Sequence, residues 1–544
     1  MTDTPTQPRG RATAVELGVL AAVVFALGIR IVGLDAQILT DDEFHAFRAA
    51  LRGDLDALYL FTQNTLPEDP ASDFSSPLAL WARGLAQTVG ISEVSLRAPM
   101  VAASVALVAV VGRVGARTLG PHAGVVVAWL AALSPLLFTY GRFARPYALV
   151  ALCGALALSS AERFRRNGDA SAAAILGVTV ALGSWFNVSA LPGLGLLGLL
   201  GFAPALRGRQ GDAARRAAAA GLALAACLAL GLLGPSADAL ARFAEMKSGA
   251  EEAPLVAWWG AAQAFAGTQA AVGVFGFGLF VIGGAAWGMR RAPSITGLAL
   301  ATFAAQLGAF IMLRPYGSDE PLVIARYAIV AYPGVLLLAA AGLAGIAERV
   351  PSPAAAAALS TGLVLGGVSL GPLPALLRGE TAFANHPATL VTQSFDHDAG
   401  AGSSFYATLP EDPPLVLVEV PWVLEWPLAI PAHYQAAHGH VVRALTAFWT
   451  FREPGVVLRA HVPWLGNVPQ LEGVSAVIVH TDLVGEWAAL TGAPVVMPEA
   501  RLEEAAARYQ ADARAIDRWL VRQPDWKRDY EDQWVRVYVP RTED

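Results

Sequence analysis

The sequence predicts a mainly α-helical membrane protein, in which a polytopic bundle of about eleven transmembrane helices precedes a soluble α/β domain. Of the 544 residues, 55% are hydrophobic and only 15% are charged, whereas about 25% of the residues in a soluble domain are charged. Apolar runs of about 20 residues, each long enough to cross a bilayer, recur through the first two-thirds of the chain. After about residue 375, short apolar runs separated by turn residues take their place. We therefore expect two domains, at 1–374 and 375–544.

The apolar runs set the positions of the expected spans. The first covers about residues 16–34; it is longer than the core of a signal peptide and lacks a clear cleavage site, so we expect a retained helix. The others lie near 97–115, 122–140, 146–161, 171–186, 188–206, 217–235, 262–289, 295–313, 327–346 and 354–373. Within the third run, Ser134-Pro135 predicts a kink or a helix end.

The arginines predict the orientation of the bundle. If the N-terminus is cytoplasmic, every inside connection is short and basic, as the positive-inside rule requires. The arginines of these connections are Arg113, Arg117, Arg163, Arg165, Arg166, Arg207, Arg209, Arg215, Arg216, Arg290, Arg291 and Arg349. Three of the outside connections, 35–96, 236–261 and 314–326, are longer and mixed or acidic. An odd number of spans then places the C-terminal region outside as well.

The first outside connection is too long for a simple connector, and its apolar residues recur at helical spacing. They form two series, Phe44, Phe47, Leu51 and Leu55, and then Leu78, Trp81 and Leu85 after Ser75-Ser76-Pro77. Both series predict amphipathic helices that lie in the membrane interface.

The region 375–544 has the pattern of a small α/β domain. Three strands are predicted at Leu415–Val420, Val474–Val479 and Trp534–Val539, and a helix is predicted at about 499–522. Strands that alternate with helices favour a layered α/β fold.

Three carboxylates, Asp41, Asp42 and Glu43, follow the first span. Together with Thr40 they fit a capping box, in which Thr and the Glu three residues later begin a helix and acids favour its positive end. A helix start also holds a carboxylate rigidly, and a carboxylate at the lip of a membrane cavity can act as a general base. Asp41 and His45 share a helix face, so a metal contact there is a further hypothesis.

Arginines at the outer ends of two helices need a partner. Arg142 and Arg145, in the stretch 140–147, break the charge bias of the outer connections, and Arg326-Tyr327 begins the tenth span. Arginine recognises phosphate through a bidentate fork, which predicts an anion site. Contacts with ordinary lipid head groups are the alternative for the first pair, and a salt bridge to the acids of its own loop is the alternative for Arg326.

The remaining features exclude other classes of site. The net charge is −6, and no stretch of the sequence is basic enough to indicate a nucleic-acid partner. Cys153 and Cys227 both fall within apolar runs, without the spacing of metal ligands or of a disulfide framework. His433, His438 and His440 lack an acidic or Cys partner at ligand spacing, so we expect solvated histidines.

Taken in order, these motifs resemble the GT-C superfamily of membrane glycosyltransferases. The resemblance is strongest to the bacterial branch related to protein O-mannosyltransferases and the lipid A aminoarabinose transferase. The matching segments, within about residues 15–346, are Asp41-Asp42-Glu43, Ser76-Pro77-Leu78, Arg97-Ala98-Pro99, the stretch from Ser134 to Leu149, and Arg326-Tyr327. The pattern departs at Phe143, where relatives often have an acid before the Ala-Arg pair.

The resemblance implies a polyprenyl-phosphate-sugar donor that enters from the bilayer, and an acceptor that is a lipid, a glycan or a protein. Transfer would occur on the outer face of the bacterial cytoplasmic (inner) membrane. Asp42 would take the acceptor's proton, while Asp41 and Glu43 would position the acceptor or a divalent metal ion. The residues that would bind the donor phosphate are Arg142, Arg145, Arg326, Tyr147 and Tyr327.

Two other functions stay open. A transporter or flippase of lipid-linked anions would place ionisable residues inside its spans near the midplane. Here the spans are almost free of charge and the acids lie at the outer rim, which favours a transferase. A catalytically silent relative that binds envelope partners is the third hypothesis, and the intact acidic motif argues against it.

Overall fold

The computed structural model describes fifteen stretches of the chain. They are residues 9–32, 34, 43, 76–89, 93–234, 241, 248–249, 252–315, 321–374, 403–410, 415–420, 441–444, 471, 473–491 and 499–541. Internal contacts divide the chain into two compact units. The first contains the described residues of 9–32, 76–80 and 97–374, and the second contains residues 34 and 43 and the described residues of 81–96 and 403–541.

The first unit is helical. The helices up to residue 369 are α1 (Arg9–Ile31), α2 (Ser76–Gln87), α3 (Glu93–Thr118), α4 (Pro121–Leu133), α5 (Pro135–Gly141), α6 (Tyr147–Asn167), α7 (Ala170–Phe186), α8 (Leu191–Leu206), α9 (Gly211–Leu233), α10 (Leu255–Ala266), α11 (Ala271–Arg291), α12 (Pro293–Leu313), α13 (Pro321–Tyr327), α14 (Tyr332–Ala347) and α15 (Pro353–Ser369). Short 3₁₀ turns at Val188–Ala190 and Ile329–Ala331 precede α8 and α14. The helix expected after Ser75 is therefore present as α2, whereas the one expected from Phe44 lies outside the described residues.

The helices have the lengths and composition of a multi-pass membrane protein. Within the described residues, eight segments are long and apolar enough to cross a membrane: Ala14–Ile31, Val94–Thr118, Tyr147–Asn167, Val188–Leu206, Gly211–Leu233, Ala271–Arg291, Pro293–Leu313 and Ile329–Ala347. The pair α4 and α5 also qualifies if it is one bent span, and α7 and α15 are shorter apolar helices. The polytopic helical fold is confirmed, while the number of eleven crossings stays a prediction.

The kink expected at Ser134-Pro135 is confirmed. Helices α4 and α5 meet there at 58°. Ser134 is the N-cap of α5: its Oγ accepts a hydrogen bond from the backbone N–H of Leu137 (3.3 Å), and Pro135 takes the first helical position. A serine cap followed by proline is a standard helix start, so the sequence itself ends one helix and begins the next.

One expected span is wrong in its boundaries. The apolar run 262–289 is divided between α10, which ends at Ala266, and α11, which begins at Ala271. Gly267 causes the break, because it takes a left-handed conformation (φ 69°) that ends α10. Hydropathy alone does not reveal a glycine C-cap inside an apolar run.

Helix α14 lies at the centre of the first unit. It lies in the candidate span Ile329–Ala347, in which 94% of an 18-residue apolar window is buried. Close approach to α11 depends on glycine: a Cβ at Gly284 would lie 1.7 Å from the carbonyl oxygen of Leu338, and one at Gly342 would lie 2.2 Å from that of Phe280. Small residues at such crossings let two backbones approach where lipid offers no hydrophobic driving force.

The second unit contains a five-stranded mixed sheet. The elements of the sheet region are β1 (Val416–Val420), β2 (Val441–Ala444), β3 (Ala476–His480), α16 (Leu483–Thr491), α17 (Glu499–Val521), β4 (Trp526–Glu531) and β5 (Val535–Pro540). The strand order is β2-β1-β3-β5-β4; β1 is parallel to β2 and β3, and β5 is antiparallel to β3 and β4. The soluble α/β fold, its three expected strands and the helix α17 are confirmed, whereas β2, β4 and α16 were not predicted.

Both faces of the central strands are buried. On one face, Leu417 and Ile478 pack with Leu483 at the start of α16. On the other, Val418 and Val477 pack with residues of α17 that include Ala513, Ile516 and Leu520. Strands buried on both faces are continuous in apolar residues instead of alternating, which explains why these two runs were recognisable in the sequence.

Three buried ionisable side chains join two strands and a helix. The imidazole of His480 bonds through Nδ1 to Oε2 of Glu486 on α16 (2.7 Å) and through Nε2 to Oε2 of Glu419 on β1 (3.2 Å). All three side chains are fully buried. Burial lowers the pKa of His480, but the carboxylates of Glu486 and Glu419 outweigh it and raise the pKa to about 10. The ring is therefore an imidazolium that donates from both nitrogens.

We expect Gly284→Ala to destabilise the helical unit. Because the added methyl group would meet the carbonyl oxygen of Leu338, α11 and α14 must move apart, and overpacking of this kind costs about 1–3 kcal/mol. Thermal unfolding of the purified protein in detergent should show a lower midpoint. Gly283→Ala is the matched control, since a Cβ there meets nothing within 4 Å. It should leave the midpoint unchanged or slightly raised, and equal shifts in the two variants would contradict the packing described.

We expect the stability of the second unit to fall as the pH rises above 6.5. The pKa of His480 is about 10 in the folded chain against an ordinary 6.5, so between these values the folded state binds a proton that the unfolded state lacks. The stabilisation is complete below about pH 6.5 and is lost as the pH approaches about 10. Hydrogen exchange of peptide 476–491 in the full-length protein, corrected for the intrinsic exchange rate at each pH, measures this decline.

His480→Gln is the control for that experiment. Its peptide should be less protected than that of the wild type at pH 6.5, because the buried carboxylates lose their cation, and its protection should not decline further toward pH 10. The same pH dependence in both proteins would show that another group is responsible.

Candidate functional site

The acidic motif is described only in part. Asp41 and Asp42, together with His45, lie outside the described residues, so their predicted roles stay predictions. Glu43 is described as a helical residue that is fully buried. A buried carboxylate is suited to fixing local structure or orienting a neighbouring group more than to meeting a substrate directly.

Arg142 binds the end of the first helix. Its Nη1 donates to the backbone carbonyls of Ile29 (3.3 Å), Arg30 (3.2 Å) and Val32 (2.6 Å). These are among the last carbonyls of α1, which have no partner within the helix, and a cation at a helix C-terminus is favourable. The guanidinium is 3% exposed. Arg142 therefore fixes the point at which the chain leaves α1, a structural role that the sequence did not predict.

Arg30 is a second buried arginine at this place. Its Nε donates to Oγ of Ser104 on α3 (2.8 Å), and its Nη1 donates to the carbonyls of Ala26 (3.1 Å) and Ala132 (3.3 Å). The side chain is fully buried, and its Nη2 has no hydrogen-bond partner in the described part of the chain. Sequence reasoning did not single out Arg30, although a charge inside the first apolar run is a signal of function.

Both guanidiniums face one aromatic ring. The ring of Phe138 on α5 lies 5.9 Å from Cζ of Arg30 and 5.6 Å from Cζ of Arg142. Oγ of Ser104, which accepts from Arg30, in turn donates to the carbonyl of Leu137 (3.0 Å). We call Arg30, Ser104, Phe138 and Arg142 the arginine cluster. It places two positive charges at the C-terminal end of α1, where cation–π contacts and carbonyls stabilise them.

Arg145 and Tyr147 lie in the turn that follows the cluster. The backbone N–H of Arg145 donates to the carbonyl of Phe143 (2.7 Å), and Arg145 is half-buried. Tyr147 begins α6, is buried, and its ring centroid lies 4.6 Å from that of Tyr140. The structure thus brings Arg142, Arg145 and Tyr147 together between α5 and α6, as the sequence spacing requires.

Arg326 and Tyr327 lie directly before a candidate span, Ile329–Ala347, close to the position expected. They end the short helix α13, and a 3₁₀ turn at Ile329–Ala331 separates them from α14. The Tyr327 ring packs edge to face on Phe310 at 5.7 Å. The sequence did not predict α13 or the turn, because the apolar run after Arg326 continues through the turn.

A buried glutamine fixes the end of α13. Nε2 of Gln306 on α12 donates to the carbonyl of Tyr327 (2.7 Å) and to that of Ser189, and its Oε1 accepts from the backbone N–H of Gly193 (3.1 Å). The side chain is 2% exposed. Gln306 therefore ties α13 to the start of α8. The acids expected as alternative partners of Arg326 lie outside the described residues.

A junction of hydroxyl groups links the bend between α4 and α5 to α10 and α14. The Tyr332 hydroxyl, at the start of α14, donates to the carbonyl of Phe265 on α10 (2.9 Å) and lies 3.0 Å from Oγ of Ser134. Because Tyr332 has one hydroxyl proton and donates it to Phe265, Ser134 must be the donor to Tyr332. This junction holds the bend before α5 against α10 and α14.

No metal centre is evident in the part of the chain that the structure describes. Among those residues, no group of three or more His, Cys, Asp or Glu side chains is placed to hold an ion. The residues expected to contact a metal, Asp41 and His45, are not among them.

Comparison with known proteins finds similarity in fold only. No family model matches the chain, and no curated protein matches it. A solved structure of ArnT from Cupriavidus metallidurans bound to undecaprenyl phosphate is 12% identical, covers 96% of this chain and 97% of that chain, and has a TM-score of 0.47. The apo state of that protein is also 12% identical, covers 96% and 98%, and has a TM-score of 0.48.

An oligosaccharyltransferase from Archaeoglobus fulgidus, in complex with Zn and sulfate, is also similar. It is 13% identical, covers 87% of this chain and 69% of that chain, and has a TM-score of 0.43. ArnT and the oligosaccharyltransferase are both GT-C superfamily members. At these identities and TM-scores, the similarity says nothing about donor, acceptor or catalytic residues in this chain.

Proposed function

We propose that the protein is a membrane glycosyltransferase. It would move a hexosyl or pentosyl group from a polyprenyl-phosphate-linked donor to an acceptor hydroxyl on the outer face of the bacterial cytoplasmic membrane, with inversion at the sugar carbon. The observation that carries the proposal is the arginine cluster at the end of α1, from which the acidic motif follows directly in the chain.

The cluster supports the proposal because it limits where the carboxylates can be. Arg142 binds the carbonyl of Val32, and Asp41 follows Val32 by nine positions in the sequence. Nine residues are too few to form a further membrane-spanning helix, which needs about 20. The carboxylates of Asp41 and Asp42 are therefore expected on the same side of the membrane as the outer arginines.

The cluster also supports an anionic ligand. A charge in a membrane span is costly and usually marks a ligand or ion pathway, and Arg30 has no carboxylate partner among the described residues. The Nη1 of Arg142 is occupied by the carbonyls of α1, so this residue would act on a phosphate through its charge. Direct contact would fall to Arg145 and Arg326, with Tyr147 and Tyr327 as hydrogen-bond donors.

The reaction proposed is a single displacement. The carboxylate of Asp42 takes the proton of the acceptor hydroxyl as its oxygen forms a bond to the anomeric carbon of the sugar. The bond from that carbon to the phosphate oxygen breaks on the opposite face, and the polyprenyl phosphate leaves with the electron pair. Arginines aimed at that phosphate stabilise the charge that develops. Asp41 would position the acceptor or, with His45, hold a divalent ion, and Glu43, which is buried, would orient these neighbours without contacting the acceptor.

We expect Asp42→Asn to abolish transfer without unfolding the protein. An amide cannot take the acceptor's proton, and the loss of a general base costs about 10²–10⁴-fold in rate. Purified wild type and variant would be incubated with extracted polyprenyl-phosphate sugars and with envelope lipids and proteins, and mass spectrometry would follow donor loss. Equal thermal unfolding midpoints would establish that the variant is folded.

Asp35→Asn is the matched control, because Asp35 lies in the same connection but outside the motif; it should transfer at the wild-type rate. Addition of EDTA to the wild-type reaction tests the ion proposed at Asp41 and His45. Full activity in Asp42→Asn would refute the base assignment. Donor binding without turnover in all three proteins would favour a transporter or a silent relative.

We expect a substitution of Arg142 to lower the stability of the protein and a substitution of Arg145 to weaken donor binding. Arg142→Gln removes a charged donor from three carbonyls, which costs about 1.5–3 kcal/mol or more, so its unfolding midpoint should fall. Arg145→Gln should keep the midpoint and raise the KM for the donor about tenfold, since one charged hydrogen bond contributes about 1.5 kcal/mol. Arg314→Gln is the control, because Arg314 is exposed and its ion pair with Glu252 is long, at 3.9 Å. It should change neither quantity.

A different result would contradict the prediction for each of the two variants. An unchanged midpoint in Arg142→Gln would show that it does not cap α1 in solution. An unchanged donor KM in Arg145→Gln would remove this residue from the phosphate site, and the proposal would then depend on Arg326.

A further inference from the structure

A groove opens between α11 and α14 at the end that carries Arg290 and Arg291. Its volume is about 260 Å³. Residues on its walls include Leu279, Gly283, Ala286, Trp287, Arg290 and Arg349. Arginines at this end predict that it faces the cytoplasm. We call it the α11–α14 groove; it belongs to the first unit alone.

The charge at the mouth of the groove is positive and unbalanced. Arg349 donates one N–H, through Nη1, to the carbonyl of Gly345 (3.2 Å). In the part of the chain that the structure describes, neither Arg290 nor Arg349 forms an ion pair with a carboxylate. The adjacent Arg291 differs, because its Nη2 lies 3.2 Å from Oε2 of Glu348. Within the described residues, Arg290 and Arg349 therefore carry positive charges that no carboxylate neutralises, whereas Glu348 neutralises Arg291.

The neutralised pair orients an aromatic wall. Nε1 of Trp287 donates to the same Oε2 of Glu348 (3.2 Å), and Cζ of Arg291 lies 5.8 Å from the centroid of the indole. Trp287 is therefore held from two sides while it lines the groove. An amphipathic indole fixed at this level is typical of the boundary between head groups and acyl chains.

The deeper wall is apolar and has room. Leu279 on α11 is 69% exposed, and a Cβ built at Gly283 meets nothing within 4 Å. The glycine next to it, Gly284, is instead packed against the backbone of α14. Space at Gly283 is thus a feature of the groove and not of loose helix packing.

We propose that the α11–α14 groove binds an anionic phospholipid. The phosphodiester lies between the guanidiniums of Arg290 and Arg349, which present N–H donors suited to phosphate oxygens. One acyl chain passes Trp287 and follows Ala286, Gly283 and Leu279 along α11. A phospholipid is favoured over a free phosphate because apolar walls lie next to the two arginines. Its phosphodiester contacts the arginines, and its acyl chain contacts the apolar walls. This site is independent of the proposed transfer reaction.

The test measures lipid binding to the full-length protein by native mass spectrometry in detergent. Palmitoyl-oleoyl phosphatidylglycerol should be retained in preference to the phosphatidylcholine with the same acyl chains. In Arg290→Gln/Arg349→Gln, retention of phosphatidylglycerol should fall by about fivefold for each arginine removed, since one basic residue at a membrane surface contributes about that factor. Inorganic phosphate at millimolar concentration should not displace the lipid.

Two matched controls isolate the groove. Arg166→Gln removes the same charge from an exposed position in the last turn of α6, which is predicted on the same side of the membrane but lies outside the groove, and it should retain phosphatidylglycerol as the wild type does. Gly283→Leu fills the groove and should reduce retention, whereas Gly278→Leu, on the same helix and also open, should not. Unfolding midpoints of all variants, measured without added lipid, check that they are folded.

The outcomes decide the proposal. Loss of binding in the double variant and in Gly283→Leu, with binding kept in both controls, supports it. Equal retention of the two lipids would overturn it. So would an equal loss in Arg166→Gln, which would indicate a diffuse surface charge, or displacement by inorganic phosphate alone, which would indicate a phosphate site.

Discussion

The contact between Arg142 and the last carbonyls of α1 is the constraint on which this end of the helical unit depends. A helix that ends in or near a bilayer leaves carbonyls that water does not reach, and each costs several kcal/mol if it stays unpaired. Three of them are satisfied by one guanidinium nitrogen. The same guanidinium faces Phe138 on α5, so the end of α1 and the bend after α4 are fixed together.

Charge is used sparingly in this unit, and each use has a physical reason. Arg30 and Arg142 share one aromatic ring and contact backbone carbonyls, which keeps a positive field at the C-terminal end of α1. At the C-terminal ends of α11 and α14, Arg290 and Arg349 have no ion pair among the described residues and lie beside the paired Arg291. In our two proposals these arginines serve different anions, the phosphate of the leaving polyprenyl group in one case and a lipid head group in the other.

The sequence predicted the fold well where composition decides it. Helix positions follow from apolar runs, and the central strands from runs such as Val477–Val479, which are buried on both faces. Boundaries without a local signal were not predictable: the break after α10 rests on the left-handed conformation of Gly267, and the 3₁₀ turn between α13 and α14 lies inside an apolar run.

The candidate site shows the same division. Arg142 and Arg145 were recognised because arginines are unusual in outer connections, but that Arg142 caps α1 depends on a contact 110 residues apart. Arg30, hidden in an apolar run, and His480, at the end of an apolar strand, become conspicuous only when folding brings Ser104 or Glu419 beside them. Sequence spacing reports local neighbours, and these partners are distant ones.

The junction of Ser134, Tyr332 and Phe265 has a consequence for how the protein responds to the energised membrane. A membrane potential does work only on charge that moves through it, about 2.3 kcal/mol per elementary charge per 100 mV. The junction joins α5, α10 and α14 through two hydroxyl groups and a carbonyl, none of which is charged. A membrane potential therefore does no direct work on the hydrogen bonds that hold the bend before α5 against α10 and α14.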